Sequence, residues 1–337
     1  MATADVLLPA TQPLPSHLAA NTGHVPRSQL GWLRPTTSDT SIDEMRRRLS
    51  TDGYLYVKNL LPRADVLKMR AHYFSQFTST DLLDPSSDPG LGIYDQTSDP
   101  ATHRGIGGGD PSSKDLDILT EAHTTEHYRA FVGHPQLRQK VRQLMEWEED
   151  VLLMRTMLRH NVPNGSATGV HYDKLFLRGG EAFFLTAWVP IGDTAHNGGG
   201  LIYLEDSVDL GQAIEDDFNA RADAQNMDVG QKISAFNVNM TATGILSDHP
   251  KEFEADHQAI AERIGREQKG YKWLVADYEA GDVVFHHPCM VHGSGRNEDA
   301  AGRIRLSTDL RFYNKEDFDN GTADTRWMKF WTIGDGL

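Results

Sequence analysis

The chain has 337 residues, 39% of them hydrophobic, a net charge of −15 and a single cysteine, Cys289. That length and apolar content support one large buried core, and the acidic balance argues against nucleic acid or an anionic membrane as partner, since both demand a basic face. One cysteine excludes an intrachain disulfide framework, and no apolar run approaches the ~20 residues of a membrane span. With no basic-then-apolar leader and an Asp335-Gly336-Leu337 ending unlike the S-K-L address, the expected location is cytoplasmic. Nothing in the composition decides between a monomer and a homodimer.

Residues 1–38 are rich in Pro, Thr, Ser and Ala without periodicity and read as an irregular N-terminal arm. Ser41-Ile42-Asp43-Glu44 has capping-box form and opens a short helix that Gly53 ends. A strand over Gly53–Val57 and a helix from Pro62 towards Phe77 follow. Residues 81–115 are turn-rich, and the glycine run Gly105–Asp110 reads as a surface loop or active-site flap. Leu119–Trp147 look helical with a break around Gly133-His134-Pro135. From Val151 the texture changes to short strands: Val151–His160, the apolar Ala182–Val189, Leu201–Leu204 and Asp282–Phe285. Residues 206–270 are charged and partly helical, an insertion between strands. The last strand, Arg303–Phe312, alternates, with Ile304, Leu306, Thr308, Leu310 and Phe312 on one face and Arg303, Arg305, Ser307, Asp309 and Arg311 on the other. Helices first and strands afterwards imply one mainly β domain over 39–337, a sandwich or barrel braced by helices.

The chemistry centres on Gly169-Val170-His171-Tyr172-Asp173-Lys174, where His171 and Asp173 form H-x-D. Residues two apart on an extended strand project to one side, so an imidazole and a carboxylate can reach one point. A second histidine would complete a 2-His-1-carboxylate triad, which holds Fe(II) on one face and leaves the opposite positions open. His286, His287 and His292 compete for that place, and at most one of the adjacent pair can point inward. His292 precedes the Gly293-Ser294-Gly295 turn, and eleven residues on Arg303 could pair bidentately with a small dicarboxylate. The same residues also read as hydrogen-bonded strand histidines and a surface arginine.

Taken in order, these motifs resemble the phytanoyl-CoA dioxygenase-like (PhyH) branch of the Fe(II)/2-oxoglutarate oxygenases. The resemblance runs from about Asp52 to Phe312. It is carried by Asp52–Val57, Thr156-Met157-Leu158, H-x-D, Trp188, Asn197-Gly198-Gly199-Gly200-Leu201 and His292-Gly293-Ser294-Gly295-Arg296-Asn297. It implies a double-stranded β-helix of jelly-roll or cupin-like form with His171, Asp173 and His292 as iron ligands. Arg303 and Ser294 would hold the distal carboxylate of 2-oxoglutarate, and Met157 and Trp188 would line the cosubstrate pocket. Arg305, on the same face roughly 7 Å along, is the alternative anchor. The implied cofactors are Fe(II), 2-oxoglutarate as cosubstrate and O2, with ascorbate as reductant in vitro. The products would be succinate, CO2 and an oxidised small organic molecule. Asp173 occupies the position that halogenating relatives keep small, so the resemblance implies hydroxylation, or desaturation, epoxidation or rearrangement as variants. The acidic balance favours a specialised metabolite over an acyl-CoA. A metal-binding β-barrel without oxygenase activity and a zinc hydrolase using the same ligands are the alternatives from other classes.

Overall fold

The computed structural model describes residues 13–103, 114–232, 250, 253, 256–266 and 271–332. The glycine run at 105–110 lies outside them, as does most of 233–255. Strands β1 (His17–Ala19), β2 (His24–Pro26), β3 (Leu30–Trp32) and β4 (Pro35–Thr36) lie in the segment expected as an irregular arm. Their partners explain the difference. β3 and β4 are two- and three-residue strands that exist by parallel pairing with residues 273–275 and 56–57, a long-range contact invisible to local periodicity. Helix α1 (Ile42–Asp52) starts where Ser41 accepts the Glu44 amide and ends at Gly53, whose φ of 75° suits glycine and whose missing Cβ would strike Val208. Strand β5 (Tyr54–Val57) and helix α2 (Arg63–Ser75) follow as expected. The next helical stretch breaks twice, giving α3 (Leu116–Ala122), α4 (Glu126–Val132) and α5 (Pro135–Met145), with Thr125 capping α4 as the extra break.

The single strand expected over Val151–His160 divides into β6 (Asp150–Leu152) and β7 (Met157–Asn161). Then come β8 (Phe184–Pro190), β9 (Leu201–Leu204), helix α6 (Val208–Ala224) in the insertion, β10 (Trp273–Val275), β11 (Val283–His286), β12 (His292–Ser294) and β13 (Arg305–Asn314). Beside the two-stranded β1-β2 sheet, the strands build two larger ones. The larger has the order β4-β5-β11-β8-β13-β6, with β7 also on β13, and the smaller has the order β12-β9-β10-β3.

Alternation along each strand divides the core. On β8, Leu185, Ala187 and Val189 face the helices, where they join Val66, Tyr73, Phe74, Val141, Leu158, Phe285, Leu306, Leu310 and Phe312. Trp188 faces the other way, into a cluster between the sheets with Tyr54, Tyr56, Tyr203, Tyr278 and Val284. Both faces of β8 are covered, which is why its sequence is apolar almost throughout. On the outer face of the smaller sheet, α6 buries Leu210, Ile214, Phe218 and Ala222 at helical spacing against Ile202, Leu204, Trp273 and Val291. Its approach is close: a Cβ at Gly211 would lie 2.0 Å from the Cys289 carbonyl. Among the described residues no helix is long and apolar enough to cross a membrane.

His123 locks the helices to the sheet. Its Nδ1 lies 2.8 Å from the Leu119 carbonyl and its Nε2 accepts the Leu158 amide at 3.0 Å, which together fix the neutral tautomer. Burial pushes its pKa down from 6.5 to about 4. A histidine whose folded pKa is depressed contributes stability that is complete above its unfolded value and is lost as pH falls towards the folded one. Unfolding free energy should therefore drop by up to about 3 kcal/mol between pH 6.5 and 4 through this residue. Urea titrations of wild type and His123→Gln across that window measure it, and the variant's profile should be flatter.

Candidate metal centre and cosubstrate site

The two ligand histidines are placed by backbone pairing. His171 and His292 exchange both amide hydrogen bonds, each N–H donating to the other's carbonyl at 2.8 Å, so they stand directly opposite across an antiparallel bridge. Each ring is then turned by its own strand: Nδ1 of His171 lies 2.9 Å from the Gly169 carbonyl, and Nδ1 of His292 lies 2.8 Å from the Met290 carbonyl. Both bonds place the proton on Nδ1 and leave the Nε2 lone pairs facing inward. Tyr172 is extended and Asp173 opens a one-turn 3₁₀ helix, which carries its carboxylate to the same point. One Asp173 oxygen lies 3.9 Å from each Nε2, and all three ligating atoms fall within 4.8 Å of one another. Two neutral imidazoles and one carboxylate on one side of a buried point are the donor set of a 2-His-1-carboxylate iron site.

A buried carboxylate needs compensation, and the sheet supplies it. Burial alone would raise the Asp173 carboxyl, but Arg311, His286 and His292 hold it well below the usual carboxylate range. Arg311 donates to Oδ1 at 2.8 Å and Thr186 to Oδ2 at 2.6 Å, and His286 Nε2 lies 3.3 Å from Oδ2. Burial likewise lowers both ligand histidines and keeps them neutral, the form that binds metal. His286 therefore faces the site as an orienting group backed by the Tyr203 hydroxyl at 3.2 Å, while His287 points away and accepts the Cys289 amide. The metal motif is also tied from below: the Tyr172 hydroxyl donates to Glu215 of α6, and Arg178 pairs with the same carboxylate.

Alternation on β13 directs Arg305, Ser307, Asp309 and Arg311 into the space between the sheets. Arg305 is buried, donates from Nε to the Gly199 carbonyl at 3.0 Å and from Nη1 to Ser307 Oγ, and keeps Nη2 buried without a hydrogen-bond partner among the described residues. An orphaned guanidinium donor beside a serine hydroxyl is the chemistry a dicarboxylate's distal end requires, so these residues fit 2-oxoglutarate.

Arg303 is not brought to this site. It lies two residues before the strand begins, in the turn closed by Asp299 and Gly302, with half of its side chain exposed and Asp299 3.8 Å away. Alternation assigns Arg303 and Arg305 the same face, but only Arg305 lies inside the sheet. Ser294 borders the space, yet its hydroxyl accepts the Thr168 amide at 2.8 Å. Met157 and Trp188 both sit opposite Asp309, on neighbouring strands, and the Trp188 ring packs 4.6 Å from Tyr278. Asn297 serves the turn, donating to the Asn161 and Arg303 carbonyls.

Thr186 and Arg311 went unassigned in the sequence, though Thr186 is the polar interruption of an apolar strand and Arg311 shares the parity of Arg305. Thr186→Val keeps the shape and removes one bond to Asp173. It should weaken iron binding about tenfold, measured by anaerobic Fe(II) titration, without altering the fold.

No curated protein matches the sequence. Among solved structures, the non-heme alpha ketoglutarate dependent epimerase SnoN from nogalamycin biosynthesis is similar over 81% of this chain and 83% of its own, at 16% identity and a TM-score of 0.48. The carbocyclase SnoK from the same biosynthesis aligns over 84% of this chain and 87% of its own, at 17% identity and 0.46. EvdO2 from Micromonospora carbonacea var. aurantiaca aligns over 83% and 94%, at 14% identity and 0.47. The profile of the phytanoyl-CoA dioxygenase (PhyH) family matches residues 49–305, a span that holds the triad of His171, Asp173 and His292 and ends on Arg305. The chain belongs to that family of iron- and 2-oxoglutarate-dependent oxygenases.

Proposed function

We propose that the protein oxidises a small organic molecule, a specialised metabolite rather than an acyl-CoA, with hydroxylation as its basic outcome. The buried triad, with both imidazoles turned inward by their own backbone, is the observation that carries the oxygenase reading. Iron bound there supplies the activation of O2, coupled to decarboxylation of 2-oxoglutarate to succinate. The chain's own groups do the rest. His171, Asp173 and His292 hold the metal, while Arg311, His286 and Thr186 fix the carboxylate. Arg305 with Ser307 receives the distal carboxylate, in place of the Arg303 that the motif suggested. Trp188 and Tyr203, fully buried, keep water from the space between the sheets.

The approach to the triad supports the substrate class. Phe176 packs its ring 5.8 Å from that of His171, and Trp327 lies 6.4 Å from Phe176 with Arg311 over its face. Nε and Nη1 of Arg311 and Nε1 of Trp327 are buried N–H groups without partners among the described residues. Aromatic walls with free donors suit a compact body carrying oxygen acceptors. The cations nearby do not suit a coenzyme's phosphates: Arg155 is buried, and the charges of Arg311, Arg178 and Arg326 are matched by Asp173, Glu215 and Asp324. The test is succinate formation by iron-loaded protein offered a panel of oxygenated polycyclic and aromatic compounds beside octanoyl- and palmitoyl-CoA. Stimulation above the substrate-free rate is expected from members of the first set. A hydroxylated acyl-CoA product would overturn the substrate reading and leave the oxygenase reading intact.

A further inference from the structure

A second convergence of metal-ligating groups lies away from the triad and shares no residue with it. Asp81 follows α2, while His103 and Asp115 stand on either side of residues 104–113, and one ligand atom from each lies within 4.8 Å of the others. The site is on the helical side of the larger sheet, where His103 packs edge-on against Tyr94 at 6.0 Å and neighbours His160 on the outward face of β7.

Exposed acidic clusters are common, but this one has a buried imidazole aimed into it. His103 is 3% exposed, its Nε2 makes no hydrogen bond among the described residues, and that atom lies 3.4 Å from Asp81 Oδ1. Asp115 adds a buried Oδ2 that likewise has no hydrogen-bond partner among them. Burial lowers the His103 pKa, so the ring is neutral and can offer a lone pair, and burial raises that of Asp115, an acid short of positive charge. Lys114 supplies one cation at 2.8 Å, but on the other oxygen of Asp81, which keeps that carboxylate ionised and leaves Oδ1 facing His103. Acceptors turned towards one another at this spacing are costly unless a proton or a metal lies between them.

We propose that Asp81, His103 and Asp115 form a second, structural site for a first-row divalent cation. One imidazole and two carboxylates make a mixed nitrogen and oxygen set suited to Zn2+ or Mn2+. Such a cation ties His103 and Asp115 to Asp81 in the turn after α2. That turn region reaches the start of β13 through the Tyr94 amide on the Gly302 carbonyl and the bridge between Ile93 and Arg303.

The experiment is a Zn2+ titration of the chelator-stripped full chain, read as bound metal per chain after desalting and as melting temperature. Wild type should bind two equivalents, Asp173→Ala and His103→Ala one each, and the double variant none. In the Asp173→Ala background, saturating Zn2+ should raise the melting temperature by several degrees, and adding His103→Ala should abolish that shift. Asp115→Asn, which keeps the side-chain shape, should give the same loss if His103→Ala folds poorly. One equivalent in wild type that Asp173→Ala removes would overturn the proposal, and so would two equivalents that survive both His103→Ala and Asp115→Asn. The first result would mean that a proton, not a metal, lies among these groups. The Asp173→Ala arm reports on the triad separately.

Discussion

Arg305→Leu should raise the 2-oxoglutarate concentration for half-maximal turnover about a hundredfold while Fe(II) binding changes little. Truncating one partner of a buried, charge-assisted pair costs about 2–5 kcal/mol, and a hundredfold corresponds to about 2.7 kcal/mol. Nη2 of Arg305 is buried between the sheets without a partner among the described residues, and bonds from Nε and Nη1 hold the fork against the Gly199 carbonyl and Ser307. The control is Arg303→Ala, which removes an exposed side chain with a loose contact to Asp299 and should stay within twofold of wild type. Arg305→Lys keeps the charge and loses the fork, so its effect should fall between the two. Steady-state kinetics in 2-oxoglutarate, with iron content measured in parallel, separates the cases. A large effect at Arg303 with none at Arg305 would reverse the assignment.

Asp173→Ala should lose Fe(II) binding and abolish turnover, for two reasons that add. It removes the one anionic ligand, and it strips Arg311 of its buried counter-charge, with Thr186 and His286 losing the same partner. Breaking a buried pair in this way costs about 3–5 kcal/mol of stability, so the melting temperature should fall as well. The paired substitution Asp173→Ala with Arg311→Leu should recover much of the stability and none of the iron. That dissociation, read by calorimetry and metal analysis, separates the structural part of Arg311 from the metal's.

Two of the three triad residues were legible because their geometry is local: H-x-D fixes them by chain spacing. On the residues alone His286, His287 and His292 competed for the third place, and the family resemblance chose His292, which lies in strand β12 directly opposite His171. The two faces of β13 were legible because period-two alternation, also local, survives in sequence. What alternation cannot give is where a strand ends. Arg303 and Arg305 have the same parity, and the turn set by Asp299 and by Gly302 at a φ of 72° decides which one enters the sheet. His286 and His287 posed the opposite problem: parity admits only one of them inward, but only the pairing of β11 with β8 says which. Thr186 and Arg311 meet Asp173 across 13 and 138 residues of chain, and Tyr203 reaches it only through His286; no sequence spacing announces such contacts. β3 and β4 were missed because two- and three-residue strands carry no periodicity of their own.

Succinate production by anaerobically iron-loaded protein, given 2-oxoglutarate, ascorbate and air without added substrate, should be measured beside Asp173→Ala. Slow succinate formation, proportional to bound iron, is expected from the wild type and none from the variant. Stoichiometric iron at His171, Asp173 and His292 with no succinate from the wild type, with or without the oxygenated panel, would contradict the oxygenase reading and favour a metal-binding or hydrolytic role for the same three ligands.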